Sequence, residues 1–235
     1  VFEEDEVSIE DDSLEKLRKK LLFGQQAQAK FEAEPLKLPE GTRYDWDATI
    51  IGRSLFRYLT MERKLDEEQV LKYHIGYCVG GTYAGSVVLP VYSRRILRFW
   101  QVRRVVFIGT ASKYDSPTVE RRDVLFDVDS IEPEHVIIVE GIFDKLAVRG
   151  SCVALLGKQI TDEQIAVLAD RKVRTVTVML DGEAWKECQQ VAYEIRKKLW
   201  GVKLVTAVRL PFGKDPGKLG RSALTDPLQT LRLRT

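Results

Sequence analysis

Three short segments place carboxylates where the backbone can turn sharply: Glu140-Gly141, Asp181-Gly182-Glu183 and Gly213-Lys214-Asp215. A glycine beside an acid permits a tight turn and leaves room for a phosphate to approach the backbone. Carboxylates brought together repel one another unless a hard cation joins them. Mg²⁺ takes a few carboxylate oxygens and completes its octahedron with water and phosphate oxygens. Such a set suits metal-assisted phosphoryl transfer. Taken singly, each segment says little, because Glu-Gly after a strand is usually a polar turn and Asp-Gly-Glu commonly opens a helix. Their joint placement is what carries weight. Asp144 lies one turn beyond Glu140, where it either points back toward that acid or complements the dipole of its own helix.

The elements around these acids read clearly. Val136-Ile137-Ile138-Val139 is a continuous β-branched run, as expected of a strand buried on both faces of a parallel sheet. A helix over about 142–149 and a strand over 152–156 follow. Thr161 with Gln164 predicts a capping box for the next helix, to about Ala169. A strand over 175–180 leads to a helix over about 184–200, which sets Cys188, Ala192, Ile195 and Leu199 on one face and ends at Gly201. A fourth strand spans 202–210. This alternation predicts an α/β fold with a parallel, Rossmann-like sheet covered by helices. In such sheets ligands bind outside the carboxyl ends of the strands, and all three acidic segments follow strand ends.

Upstream the pattern is α+β. Helices are expected near 53–61 and 66–73, and β runs at Val87–Tyr92 and Arg98–Ile108. Ser13 could cap a helix toward Ala33, with Leu14, Leu17, Leu21 and Phe31 at helical spacing; Gly24 weakens it and Pro35 and Pro39 end it. The expected organisation is an acidic tail and helical linker over 1–40, a smaller basic α+β subdomain over 41–132, the parallel-sheet domain over 133–216, and a tail over 217–235.

The net charge of +2 conceals a polarity. Eight of the 35 acids fall within the first fifteen residues, which leaves 27 acids against all 37 basic residues in 16–235. A body this basic can attract a polyanion. Residues 94–104 carry Arg94, Arg95, Arg98, Arg103 and Arg104 with no acid, interleaved with Phe99 and Trp100. That composition fits a groove tracking a phosphate backbone, and equally an amphipathic strand; the expectation is arginines in the groove and both aromatics in the core. Other chemistries are excluded. Cys78, Cys152 and Cys188 are too scattered for a disulfide framework or a zinc site, and are expected to be buried and unreactive. No P-loop pattern surrounds Lys113, Lys158 or Lys214. His74 and His135 are isolated and expected to be structural. No apolar run approaches the roughly 20 residues that span a bilayer, so a cytoplasmic protein without membrane association is expected.

Ordered along the chain, these motifs resemble those of toprim-containing bacterial and phage primases. VIIVEGIFDKLAV at 136–148 resembles the family's Glu-Gly-x-x-Asp segment, LDGEA at 180–184 its Asp-x-Asp motif, and GKDP at 213–216 the loop that follows. Upstream, LDEEQVLKYHIGY at 65–77, VVLPVY at 87–92, SKYDSP at 112–117 and VLFDVDSI at 124–131 resemble stretches that separate primases from other toprim proteins. The resemblance covers roughly residues 50–216. It implies template-directed synthesis of short RNA primers on single-stranded DNA, from ribonucleoside triphosphates, with Mg²⁺ or Mn²⁺. It implies Glu140, Asp181 and Glu183 as catalytic metal ligands, Asp144 and Asp215 as supporting acids, and Lys113 and Arg121 as contacts to nucleic acid or nucleotide phosphates. Arg94, Arg98 and Arg103 join these as expected groove residues. Two positions depart from the family: Glu183 stands where Asp is usual, and Gly217-Lys218 follow Asp215 where a further acid is common. A toprim nuclease acting at the same metals, and a non-catalytic toprim module that only binds nucleic acid, are the alternatives. The family also implies a replicative helicase as partner and an upstream zinc ribbon, which this chain's cysteines cannot form. The acidic start at Val1 is read as the point just downstream of such a module.

Overall fold

The computed structural model describes residues 35–106, 112–219 and 230–234. The acidic tail and the helix expected within 13–33 lie outside them. From Lys37 on, the described residues form one compact unit, built on two five-stranded sheets.

The first sheet is antiparallel, in the order β1-β2-β3-β4-β5: β1 is Thr42–Arg43, β2 Gly76–Cys78, β3 Ser86–Ser93, β4 Ile96–Arg104 and β5 Tyr114–Asp115. β3 and β4 form its long hairpin. The turn falls on Arg94 and Arg95, both with positive φ (50° and 66°), as a tight two-residue hairpin turn requires. Helix α1 (Ile50–Arg57) starts at Thr49, whose hydroxyl accepts from Gly52 N at 2.8 Å, and runs on into a single π turn over Tyr58–Glu62. Helix α2 (Glu67–Lys72) opens with a capping box between Asp66 and Gln69.

The second sheet has the order β10-β9-β8-β6-β7. β6 (Val136–Val139), β7 (Cys152–Ala154), β8 (Thr175–Val178) and β9 (Leu204–Val208) are parallel, as the βα alternation requires. Helices α3 (Ile142–Val148), α4 (Asp162–Asp170) and α5 (Trp185–Lys198) connect them, and a short α6 spans Pro216–Leu219. The tail contributes one strand that the sequence reading missed: β10 (Thr230–Arg234) lies antiparallel along β9. Its Leu-Arg-Leu-Arg alternation was the available signal.

One apolar cluster joins the sheets. Leu55, Leu59, Val87, Leu89 and Phe99 from the antiparallel side pack with Ile137, Val139, Ile142 and Leu146 from the parallel side. A second cluster lies on the other face of the parallel sheet, under α4 and α5. Polar links fix α3 across the seam. Lys145 is only 2 % exposed; it pairs with Asp127 and donates to the Tyr73 hydroxyl, which donates in turn to Asp127 at 2.9 Å. Gln69 Nε2 donates to the Leu146 carbonyl at 2.8 Å. A buried cation costs several kcal/mol unless it is paired and hydrogen-bonded, and here both conditions hold. Cys78, Cys152 and Cys188 are all buried, as expected. His135 is held by the Thr177 hydroxyl at 2.9 Å. Among the described residues no helix is long and apolar enough to cross a membrane.

Candidate active site at the acidic sheet edge

The carboxyl ends of the parallel strands bring the acids together. Glu140 follows β6, Asp181 and Glu183 follow β8, and Asp215 lies in the loop after β9. Because the strand order is β9-β8-β6-β7, these ends form a row along one edge, with neighbouring strands about 5 Å apart. Gly182 is required where β8 ends. A Cβ there would stand 2.1 Å from the Pro211 carbonyl oxygen, so only glycine lets the two loops touch. Gly182 N also donates to Lys214 O at 2.9 Å, locking the Asp181 loop to the Asp215 loop.

The five acids are not equivalent. Asp144 is committed to the backbone: Oδ2 accepts from Gly141 N at 3.0 Å and Oδ1 from Gly217 N at 2.9 Å. It clamps the loop after β6 to the start of α6, a positioning role. Asp215 is likewise engaged, since Oδ1 accepts from Lys218 N at 2.7 Å and Oδ2 pairs with Lys218 Nζ at 2.9 Å. Lys218, the departure from the family pattern, thus neutralises the acid before it. Glu183 is exposed at the rim. Glu140 Oε2 and Asp181 Oδ1 differ from all of these: each is buried and has no hydrogen-bond partner.

Burial and like charge act in one direction here. Burial first, then the Asp181 charge, pushes Asp144 up to about 7 against its two backbone donors. Glu140 is raised by burial and by Asp181, and Asp181 by burial, Asp215 and Glu183. A buried carboxylate oxygen without a donor costs free energy that a bound cation would return. Glu140 and Asp181, with Glu183 beside them, therefore fit a hard divalent ion. Among the described residues no three His, Cys, Asp or Glu side chains stand ready as a complete cage. Two carboxylates completed by substrate phosphates and water are the usual provision for Mg²⁺.

The basic residues divide differently from expectation. On β4, Arg98 falls where the β3–β4 register shifts, between the Val91–Phe99 and Tyr92–Leu97 pairs, and its surroundings differ from those of Arg103. Arg103 shares its face with Phe99, which packs in the core between the sheets, and is itself 7 % exposed. Its Nε donates to the Tyr58 hydroxyl at 3.2 Å, its guanidinium stacks over Tyr114 at 4.8 Å, and Nη1 is buried without a partner. The Tyr58 hydroxyl also accepts from Arg63 Nε at 2.7 Å, and Arg63 stacks over Phe143 at 4.4 Å, within the field of Asp144. Arg98 instead pairs with Asp123 at 2.6 Å. Arg94, at the hairpin tip, donates its backbone N–H to Asp129, which also binds Arg171 just past the carboxyl end of α4. Seven residues of β4 and the turn residue Arg95 separate it from Arg103, at most roughly 30 Å. Arg94, Arg98 and Arg103 do not form one groove. Tyr114 on β5 lies opposite Arg103, and Lys113 just before it accepts from Arg104 N at 3.0 Å through its carbonyl. Arg121 stacks over Phe99 at 5.4 Å while donating to Leu156 O at 3.2 Å. Both aromatics of this stretch are buried: Phe99 faces the shared core, and Trp100, on the other face, donates to Lys37 O at 3.0 Å.

Two site residues were missed in the sequence. Arg63 had no local signal. Lys158 had one: it lies in the loop just past β7, a strand end that carries no acid. Its charge acts on both Glu140 and Asp181.

No protein-family model and no curated protein matches the sequence. Solved structures do. The DnaG catalytic core is 20% identical with a TM-score of 0.62, covering 74% of this chain and 70% of that one. A DNA primase domain from Pseudomonas aeruginosa is 19% identical with a TM-score of 0.62, over 77% and 73%. The primase fragment of the bacteriophage T7 primase-helicase protein is 15% identical with a TM-score of 0.52, over 80% and 77%. The chain therefore has the fold of a primase catalytic core.

Proposed function

We propose that this chain is a DNA-dependent RNA primase core, joining ribonucleotides on single-stranded DNA at the acidic sheet edge. The observation that carries the reading is the pair of buried carboxylate oxygens, on Glu140 and Asp181, left without donors. At the β5 edge of the antiparallel sheet, exposed Lys113 and Tyr114 would be available to a polyanion. One structural neighbour, a DnaG primase catalytic domain at 20% identity and a TM-score of 0.61, is described as bound to single-stranded DNA. Retention of both acids favours catalysis over a binding-only role, and the upstream sheet shared with primase cores favours synthesis over hydrolysis.

Glu140 and Asp181 would hold Mg²⁺ or Mn²⁺, with Glu183 at the rim and Asp144 and Asp215 fixing the loops. Bound there, the cation would favour ionisation of an attacking ribose hydroxyl and offset charge on the phosphate. Asp144 keeps Glu140 and the α6 loop in register. Lys113 would hold template or nucleotide phosphates, Tyr114 would offer a ring for base stacking, and the buried Arg103 guanidinium would position Tyr114. The test is incubation with labelled ribonucleotides, Mg²⁺ and single-stranded DNA. The expected product is a short RNA that is absent when deoxyribonucleotides replace ribonucleotides. Shortening of a labelled strand without incorporation would establish the nuclease instead.

A further inference from the structure

Beside the acidic edge lies a cleft of about 510 Å³ lined by Arg121, Arg122, Lys158, Gln159, Thr161 and Glu187. Three of these are cations, and none makes an ion pair among the described residues. Arg121 is held by the Leu156 carbonyl and the Phe99 ring. Leu156 adopts the left-handed conformation (φ 61°), uncommon for a branched side chain, while its N–H donates to the Glu140 carbonyl at 3.0 Å. Such strain persists only where its surroundings over-determine it. It turns the chain out of β7 toward Lys158, whose charge acts on Glu140. Along the sheet edge the order is thus Asp181 after β8, Glu140 after β6 and Lys158 after β7.

We infer that this cleft receives the pyrophosphate portion of the incoming nucleoside triphosphate, with Lys158 as its principal contact. The inference rests on the nucleotidyl-transfer reading above. In that reaction the ribose 3′ oxygen bonds to the α-phosphorus. The bond from that phosphorus to the bridging oxygen breaks, and pyrophosphate leaves with the electron pair; the hydroxyl proton passes to solvent. Negative charge therefore grows on the leaving group, and preorganised cations placed there act most strongly in the transition state. A triphosphate tail also matches three unpaired cations better than a single monoanion would. Glu187, the one acid of the lining, restricts the cleft to a polyanion strong enough to overcome it, or to one arriving with its own cation.

The experiment is a calorimetric titration of the whole chain with magnesium pyrophosphate, using the wild type, Lys158→Ala and Lys158→Arg. Single-stranded DNA binding is measured on the same proteins. Lys158→Ala should weaken pyrophosphate about tenfold, the scale of one charged hydrogen bond. Lys158→Arg should recover most of that affinity, and DNA affinity should not change. In synthesis, Lys158→Ala should weaken product inhibition by pyrophosphate to the same degree. Unchanged pyrophosphate affinity in Lys158→Ala, or no binding by the wild type, overturns the assignment. The two readings separate cleanly: if pyrophosphate binding depends on Lys158 but no primer is made, the cleft stands and the primase reading falls.

Discussion

The two sheets place their charged side chains in opposite ways. The parallel sheet uses strand ends: Glu140 follows β6 directly and Asp181 lies in the loop just past β8, so topology alone brings them to one edge. The antiparallel sheet uses a strand face, where register and the two-residue period decide which cations look inward. The first arrangement tolerates uncertainty of a residue or two in element boundaries. In the second, a shift of one position reverses every side chain. Arg98 and Arg103 show the consequence. One is an exposed partner of Asp123 at 39% side-chain exposure; the other is buried against Tyr58 and Tyr114.

The comparison breaks most readily at the acids. Glu140→Gln or Asp181→Asn should reduce primer synthesis by at least about 10³-fold, the scale of losing a preorganised charge-stabilising group. Each should leave the fold intact and raise the melting temperature of the cation-free protein, because a mutually repelling buried charge is gone. Glu183→Gln, at the exposed rim, should cost less. Equal losses at all three would mean that burial does not distinguish them. Circular dichroism melts and single-turnover synthesis measure both effects.

The next effect tests the antiparallel sheet. Lys113→Met should weaken single-stranded DNA binding about tenfold and flatten the log–log salt dependence by about 0.7, the value of one phosphate contact on a single strand. Arg103→Met should weaken it less, through loss of the guanidinium stacked on Tyr114. Its melting temperature should hold or rise, since a buried guanidinium without a carboxylate partner is replaced by an apolar chain. Arg98→Met should change affinity less than threefold, and its exposed ion pair is worth about 0–1 kcal/mol. Arg94→Met, at the far end of the hairpin, should change neither. A larger loss at Arg94 or Arg98 than at Lys113 would move the polyanion away from the β5 edge.

A smaller effect concerns pH. Asp144 sits at about 7 in the folded chain, and Glu140 and Asp181 are also raised. In the unfolded chain these groups ionise near pH 4. Between about pH 4 and 7 the unfolded chain therefore binds fewer protons than the folded one, and these three acids make stability fall as pH rises through that window. The cation-free protein should have a lower urea midpoint at pH 7 than at pH 5, and Asp144→Asn should shrink that difference. Saturating Mg²⁺ should shrink it as well. A wild-type midpoint that rises from pH 5 to 7, with Asp144→Asn unchanged in slope, would contradict the assigned shifts.

Sequence legibility followed the same division. The βα alternation from Val136 to Leu210 is strongly periodic, so the strands, their ends and the acid row could be read directly. Which acids were committed could not. The bonds from Gly141 and Gly217 to Asp144, and from Lys218 to Asp215, depend on loop geometry that no spacing encodes. Upstream, Arg94–Arg104 reads as one basic stretch, but its first two arginines form a tight turn and the rest divide between faces. The Lys145–Asp127–Tyr73 link needs three segments that meet only in the folded chain.

The central claim is that the donorless oxygens of Glu140 and Asp181 await a divalent cation. Mn²⁺ titration followed by electron paramagnetic resonance tests it most directly, with wild type, Glu140→Gln, Asp181→Asn and Asp215→Asn compared in the presence of a ribonucleoside triphosphate. The account predicts bound Mn²⁺ in the wild type, loss of at least about tenfold in affinity for Glu140→Gln and Asp181→Asn, and little change for Asp215→Asn, whose carboxylate is already paired with Lys218. Wild-type Mn²⁺ affinity retained in both Glu140→Gln and Asp181→Asn would contradict it.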